Sequence, residues 1–175
     1  CGKYGVLDII NSGSAMELDT QSIEHIKDVV RERKIHTLWF EAHYMYRHRL
    51  SEFAQMFSPA EVKFRCGVET FDGRLRKSWN KGINEDVTAK DVARYFQGVC
   101  LLCCVEGQTK AQIMDDLAKA EEHFEYYSVN LFCNNTTPMR RDHALARWFE
   151  EEVYPMLAEN PKVEVLLNNT DLGVG

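Results

Sequence analysis

The order of apolar and amphipathic segments along this chain constrains its fold more than any other feature. Six apolar runs predict β-strands, and amphipathic stretches between them predict helices with one buried face. Strands and helices alternate with short connections, which predicts parallel strands joined by right-handed crossovers. The predicted strands span residues 4–10, 35–40, 61–66, 98–104, 127–133 and 163–167, and the predicted helices span 21–33, 47–57, 74–80, 89–96, 110–124 and 142–157.

The predicted strands are apolar along their length, which indicates a sheet with both faces buried. A barrel and an open doubly wound sheet both fit this pattern. No glycine-rich fingerprint follows the first strand, which disfavours the dinucleotide-binding type of open sheet. We therefore expect an α/β fold with one domain over residues 1–175, built as part of a TIM-type (βα)6 barrel of parallel strands.

The composition excludes several classes of protein. The chain carries a formal net charge of -6, whereas a protein that binds nucleic acid in bulk needs a basic face. No apolar run approaches the roughly 18 residues that a membrane helix needs. Five of the six cysteines lie in or at the end of apolar runs, which indicates reduced, buried cysteines in a cytoplasmic protein.

Small or polar residues follow the carboxyl end of every predicted strand. They are Asn11, Ser12, Ser14, Glu41, His43, Glu69, Glu106, Gln108, Asn134, Asn135, Asn168, Asn169 and Asp171. In parallel α/β folds these ends meet on one rim, and this rim holds the functional site. Amide and carboxylate side chains there suit a polar, planar or sugar-bearing small molecule. The same residue types also form turns and helix caps, so each single residue fits either role.

Three glutamates that end apolar strands are harder to explain as turn residues. Glu41, Glu69 and Glu106 would be desolvated and mutually repulsive unless they meet a ligand or cations. The nearby cations in the sequence are Lys63, Arg65 and Lys110.

The sequence predicts no metal site. Cys100 and Cys103 would point to opposite faces of a strand, and no second cysteine pair stands at a zinc spacing. His43 and His48 are isolated, and a single histidine near a loop more often forms hydrogen bonds. Tyr44 belongs to a mainly buried aromatic group, and its ring is also a candidate to stack on a ligand.

Ordered motifs at successive strand ends resemble those of the radical S-adenosylmethionine (SAM) superfamily. The motifs are Asn11-Ser12-Gly13-Ser14, Phe40-Glu41-Ala42-His43, Gly67-Val68-Glu69-Thr70-Phe71, Asn80-Lys81-Gly82, Val105-Glu106-Gly107-Gln108-Thr109 and Asn168-Asn169-Thr170-Asp171. Together they span nearly the whole chain and are most similar to the branch that includes queuine lyase. The resemblance implies a partial barrel of about six βα units. It also implies a lyase or oxidoreductase in which a [4Fe–4S] cluster cleaves SAM to a radical that abstracts hydrogen from the substrate.

The resemblance implies roles for single residues as well. Ser12, Gly13 and Ser14 would contact the amino group of SAM, Glu69 would contact its ribose, and Glu106 and Asn134 would lie near its adenine. The residues that would face the substrate are Glu41, His43, Tyr44, Asn168 and Asp171. In the queuine lyase branch that substrate is a 7-deazaguanine base such as queuine, whose N–H edge suits carboxylate acceptors. The resemblance assigns no catalytic residue.

The three-cysteine motif that holds the cluster in this superfamily does not occur in the sequence. Since a [4Fe–4S] cluster needs thiolate ligands, the chain is either part of a longer protein or a relative without a cluster. We expect the first, with the cluster segment and the first barrel strand preceding Cys1. The 175 residues alone would then be inactive, and the open barrel edge would favour self-association.

Two other functions stay open at this point. One is a cofactor-free barrel enzyme that uses Glu41, Glu69 and Glu106 as acid–base groups. The other is a non-catalytic module that binds a small molecule.

Overall fold

The computed structural model describes residues 4–11 and 13–168, and its strands form one parallel sheet. The strands, β1 to β6, span Val6–Ile9, Thr37–Glu41, Glu61–Glu69, Gly98–Cys103, Tyr126–Leu131 and Val163–Leu166. They pair in sequence order, and every pair is parallel. Ser12 and Asp171, two of the predicted site residues, lie outside the described residues.

Helices connect the strands, as the alternating pattern predicts. They are α1 (Thr20–Arg33), α2 (Leu50–Gln55), α3 (Gly73–Ser78), α4 (Ala89–Ala93), α5 (Lys110–His123), α6 (His143–Trp148) and α7 (Tyr154–Leu157). Side-chain caps start several of them: Thr88 and Thr109 each form a reciprocal capping box with the third residue of the helix. A π-helical turn, Phe149–Val153, joins α6 to α7. None of the described helices is long and apolar enough to cross a membrane.

The sheet curls into part of a barrel. β1 and β6 stand at opposite ends of the strand order, yet Asp8 of β1 and Leu166 of β6 line the same cavity of about 50 Å³. Two edge strands can reach one small cavity only if the sheet between them is curled. The α/β, partial TIM-type (βα)6 barrel predicted from the sequence is therefore confirmed.

The expectation that the strands are apolar on both faces is wrong. The outer face packs apolar side chains such as Leu38 and Phe40 against the helices, and both are fully buried. The inner face instead carries polar side chains. Arg65 is buried there, forms an ion pair with Asp8, and lies 5.9 Å from the centre of the Trp39 ring. An inner face that a partial barrel leaves partly open to water tolerates such ion-paired groups.

The third strand, β3, is longer than the sequence predicts. The sequence places its end at Cys66, but the strand continues to Glu69 with an irregular pairing to β4 between Gly67 and Glu69. Glu69 has a φ of 65°, in the left-handed region that residues other than glycine rarely adopt. Irregular pairing of this kind is common at barrel rims, where it re-aims side chains. The extension places Glu69 at the carboxyl end of the barrel rather than in a loop.

Candidate functional site

A cavity of about 380 Å³ opens at the carboxyl ends of β1, β2 and β3. Its lining residues are Asn11, Gly13, Ser14, Glu17, Glu41, His43, Met45, Gly67 and Lys81. Pockets that bind small molecules commonly measure about 300–1,000 Å³, so this one is large enough for a ligand. The cavity lies on the predicted rim and brings together four predicted site residues, Gly13, Ser14, Glu41 and His43.

Glu41, Glu69 and Lys81 form a charged cluster at this cavity, and Glu17, which also lines it, accepts from the Tyr46 hydroxyl at 3.2 Å. Lys81 Nζ donates to Glu69 Oε1 at 2.7 Å, and the Glu69 side chain is only 16% exposed. Glu41 has no ion-pair partner among the described residues. Burial, and then the charge of Glu69, raise the pKa of Glu41, although the charge of Lys81 lowers it. With both glutamates ionised the cluster is one positive charge short, so a cationic or hydrogen-bond-donating group would complement it.

The cation beside these glutamates differs from those expected. Lys63 and Arg65 form ion pairs with other carboxylates, and Lys110 lies 4.7 Å from the centre of the Trp148 ring. In the described part of the chain, none of the three pairs with a strand-end glutamate. The expectation was wrong because Lys81 lies 12 residues beyond Glu69, and only the fold brings it back. The sole sequence signal for it was the resemblance of the short motif around it.

His43 uses both of its ring nitrogens inside the protein. Nδ1 accepts from the Met45 backbone N–H at 3.2 Å, so Nε2 carries the proton and donates to the Lys81 carbonyl at 2.7 Å. The ring also packs beside Gly82, which adopts a φ of 66°. His43 therefore lines the cavity and fixes the Lys81 backbone, rather than offering a free nitrogen to a ligand.

The loop after β1 offers hydrogen-bond acceptors. Ser14 is buried, and its Oγ accepts from the His43 backbone N–H at 3.2 Å. Asn11 Nδ2 donates to the Ser14 carbonyl at 3.3 Å, which orients the Asn11 amide. Asn11 Oδ1 is buried and has no hydrogen-bond partner among the described residues. A buried acceptor in this state is costly unless water or a ligand donates to it.

The groups around the cavity fit SAM. Gly67 lies next to both carboxylates. A Cβ at this position would be 3.0 Å from Glu41 Oε1 and 3.7 Å from Glu69 Oε1, so the absence of a side chain leaves this space free. A carboxylate accepts from ribose hydroxyls, and an ammonium pairs with the carboxylate of an amino acid. Glu69 and Lys81 supply these two groups, and the acceptor on Asn11 suits an amino group.

The described residues do not fit a [4Fe–4S] cluster. Across residues 4–11 and 13–168 there is no group of three or more His, Cys, Asp and Glu side chains that could hold a metal ion. Cys66, Cys100, Cys103 and Cys104 are buried and free, as predicted from the apolar runs. Burial raises the pKa of each of these thiols, to about 12 for Cys100, which disfavours the thiolate that iron needs.

Other predicted site residues lie outside the cavity. Glu106 is exposed, and Asn168 is exposed beyond the end of β6. Asn134 Oδ1 accepts from a backbone N–H of its own loop at 2.8 Å. Tyr44 is half-buried and stacks on Phe96, with the ring centres 6.3 Å apart. The binding roles of these residues stay predictions.

Comparison with known proteins gives one informative match. No known family pattern and no curated protein sequence matches the chain. A solved structure, queuine lyase from Clostridium spiroforme bound to SAM and queuine, superposes with a TM-score of 0.92 at 38% sequence identity. The match covers 99% of this chain and 75% of the other. A sequence identity of 38% over almost the whole chain indicates common descent and not only a similar fold. The chain therefore belongs to the queuine lyase branch of the radical SAM enzymes.

Proposed function

We propose that this chain binds SAM and a 7-deazaguanine base of the queuine type in the cavity at the ends of β1 to β3, as part of a radical SAM lyase. One observation carries the proposal. A largely buried cluster of two carboxylates and one lysine lies at the strand-end rim of a chain 38% identical to an enzyme whose structure holds SAM and queuine. Both molecules carry N–H donors that such carboxylates accept from.

Four side chains are assigned to SAM on their chemistry. When bound, SAM supplies the adenosyl group that abstracts hydrogen from substrates in this superfamily. Glu69 accepts from the ribose hydroxyls, and Lys81 pairs with the SAM carboxylate. Asn11 and Ser14, with Gly13 between them, face the SAM amino group. Three further assignments rest only on the resemblance to the radical SAM superfamily. Glu106 and Asn134 are assigned to the adenine of SAM, and Ser12 is assigned to its amino group.

Glu41 is assigned to the substrate. It lines the cavity and has no ion-pair partner among the described residues. The N–H edge of a deazaguanine would supply donors to this carboxylate and would replace the water that its burial excludes. His43 closes this side of the cavity with its ring. Tyr44, Asn168 and Asp171 are kept as substrate residues on the resemblance alone.

A cofactor-free acid–base enzyme is the second candidate. The raised pKa of Glu41 favours it, because a carboxyl that holds its proton to higher pH is a better general acid. The other two glutamates do not favour it, since Glu69 is paired with Lys81 and Glu106 is exposed. The SAM-dependent function therefore has the stronger support.

Titration calorimetry of the 175-residue chain with SAM and with queuine tests the proposal. We expect saturable binding of both, with SAM affinity at least about tenfold weaker in Glu69→Gln, because a lost charge-assisted hydrogen bond costs about 1.5–3 kcal/mol. Glu41→Gln should weaken queuine more than SAM. Glu61→Gln is the matched control, since Glu61 is exposed at the opposite end of the same strand. Absence of binding, or an equal loss in the Glu61 variant, would contradict the proposal.

A further inference from the structure

Arg76, on α3, is a fully buried arginine with no carboxylate partner among the described residues. Its guanidinium donates instead to three backbone carbonyls. These belong to Thr70 at 3.1 Å, Asn84 at 2.6 Å and Val87 at 2.9 Å. Burying a charge costs free energy unless hydrogen bonds compensate for it. The three hydrogen bonds to carbonyls compensate for the buried charge of Arg76, and an apolar side chain of similar length could not form them.

The three carbonyls lie at the two ends of one segment, the β3–α4 connection, residues 70–88. Thr70 directly follows β3, whereas Asn84 and Val87 precede α4. A single guanidinium therefore ties the start of the connection to its end. Gly73 packs against the backbone of Glu85 in the same segment, at a distance that leaves no space for a Cβ. The connection is closed upon itself around α3.

Lys81 lies within this closed connection. Its neighbours Asn80 and Gly82 both adopt left-handed backbone conformations, with φ of 56° and 66°. The Lys81 carbonyl accepts from His43, and its ammonium donates to Glu69. Because the side chain reaches the cavity from a loop, the place of its ammonium depends on the conformation of that loop.

We infer that Arg76 is a positioning residue of the site: by tying the two ends of the β3–α4 connection together, it holds the Lys81 ammonium against Glu69 and near Glu41. The consequence for ligand binding rests on the proposed function. The consequence for the charges of the cavity does not, because it concerns only the chain's own residues.

The test measures the pKa of Glu41, because this pKa depends on how close the Lys81 ammonium lies. Several charged or titratable groups lie around Glu41 in the two cavities that it lines: Asp8, Glu17, His43, Arg65, Glu69, Lys81 and the thiols of Cys66 and Cys100. Arg65 is paired with Asp8, and Lys81 is the cation that lowers the Glu41 pKa. Carbon-13 NMR of the glutamate carboxyls follows this titration without any ligand. Lys81→Met should raise the apparent pKa of Glu41 by about one unit, because the opposite charge is removed.

The variant Arg76→Met should raise the Glu41 pKa in the same direction, since the ammonium is no longer held in place. The double variant should shift the pKa no further than Lys81→Met alone, because Arg76 acts through Lys81. Arg74→Met is the matched control, as Arg74 is exposed on the same helix, and it should leave the titration unchanged. If Arg76→Met does not fold, Arg76→Lys decides, since it keeps the charge but loses the planar fork that spans several acceptors.

The inference is overturned if a folded Arg76 variant titrates like the wild type, or if its shift adds fully to that of Lys81→Met. In calorimetry, both single variants should weaken SAM binding about tenfold, and the double variant should weaken it no further, as expected for two residues that act as one unit. If SAM does not bind even the wild type, the proposed function fails, while the Glu41 titration still decides the role of Arg76.

Discussion

Replacing Asp116 with asparagine should change stability in opposite directions at low and at neutral pH. Asp116 lies on α5 and is 2% exposed. Oδ1 accepts from the Phe71 backbone N–H at 2.7 Å, and the buried Oδ2 makes no hydrogen bond of normal geometry to a described residue, although the nearby Thr70 hydroxyl lowers the pKa of the carboxyl. Burial is the main cause that raises the pKa of this carboxyl from 3.8 to about 6.

The magnitude follows from this shift. A shift of about two units corresponds to about 3 kcal/mol by which the fold disfavours the ionised form. Between about pH 4 and pH 6 the native protein binds more protons than the unfolded chain. The free energy of unfolding therefore falls as the pH rises through this window. The stabilisation that comes from the protonated Asp116 carboxyl is fully present below the unfolded pKa and is lost above the native pKa. Asparagine removes this dependence but buries an amide N–H without a partner, at a cost of about 1–2 kcal/mol.

The variant should therefore be about 1–2 kcal/mol less stable than the wild type near pH 3.5, below the unfolded pKa, and about 1–2 kcal/mol more stable near pH 7.5. In a chain of this size the gain corresponds to a rise in Tm of about 2–8 °C. Urea denaturation followed by circular dichroism across this pH range measures both. Asp115→Asn is the control, because Asp115 is exposed, pairs with Lys119, and should change stability little at any pH. If the Asp116 variant differs from the wild type by the same free energy of unfolding at both pH values, the Asp116 carboxyl does not have a raised pKa in the native protein.

Three further outcomes are expected. The free energy of unfolding of Glu41→Gln should rise above that of the wild type as the pH increases. Burial raises the pKa of Glu41, so its ionised form opposes folding at neutral pH, and urea denaturation at several pH values checks this. Gly67→Ala should lower SAM and queuine affinity at least about tenfold while changing Tm little, since the new Cβ would stand 3.0 Å from Glu41 Oε1; equal affinity in calorimetry would count against the cavity as the binding site. Thr109→Ala should lower the free energy of unfolding by about 1 kcal/mol, because it removes the capping box of α5; an unchanged Tm would contradict that role.

Motifs at the strand ends pointed to residues that share one cavity, but not to all the residues that line it. Gly13, Ser14, Glu41 and His43 line one cavity, as expected for residues that follow neighbouring parallel strands. The His43 ring forms hydrogen bonds, as a single histidine near a loop more often does, and both of its nitrogens bind backbone groups. Its role towards a substrate stays a prediction. A sequence shows that a histidine follows a strand, but it does not show which backbone groups will surround the ring.

The alternation of strands and helices, the parallel sheet and the rim that carries polar side chains can all be predicted from the order of the amino acids. These features depend on hydrophobic period and on residues next to each other in the chain, so they can be seen without the fold. Three features became visible in the folded chain alone: the inner face of the sheet is polar, Lys81 is the cation of the cavity, and Arg76 ties together the connection that carries Lys81. Each of these depends on groups that meet across the fold, where the direction of a strand, the left-handed turn of a loop and the burial of a side chain fix which charges come together.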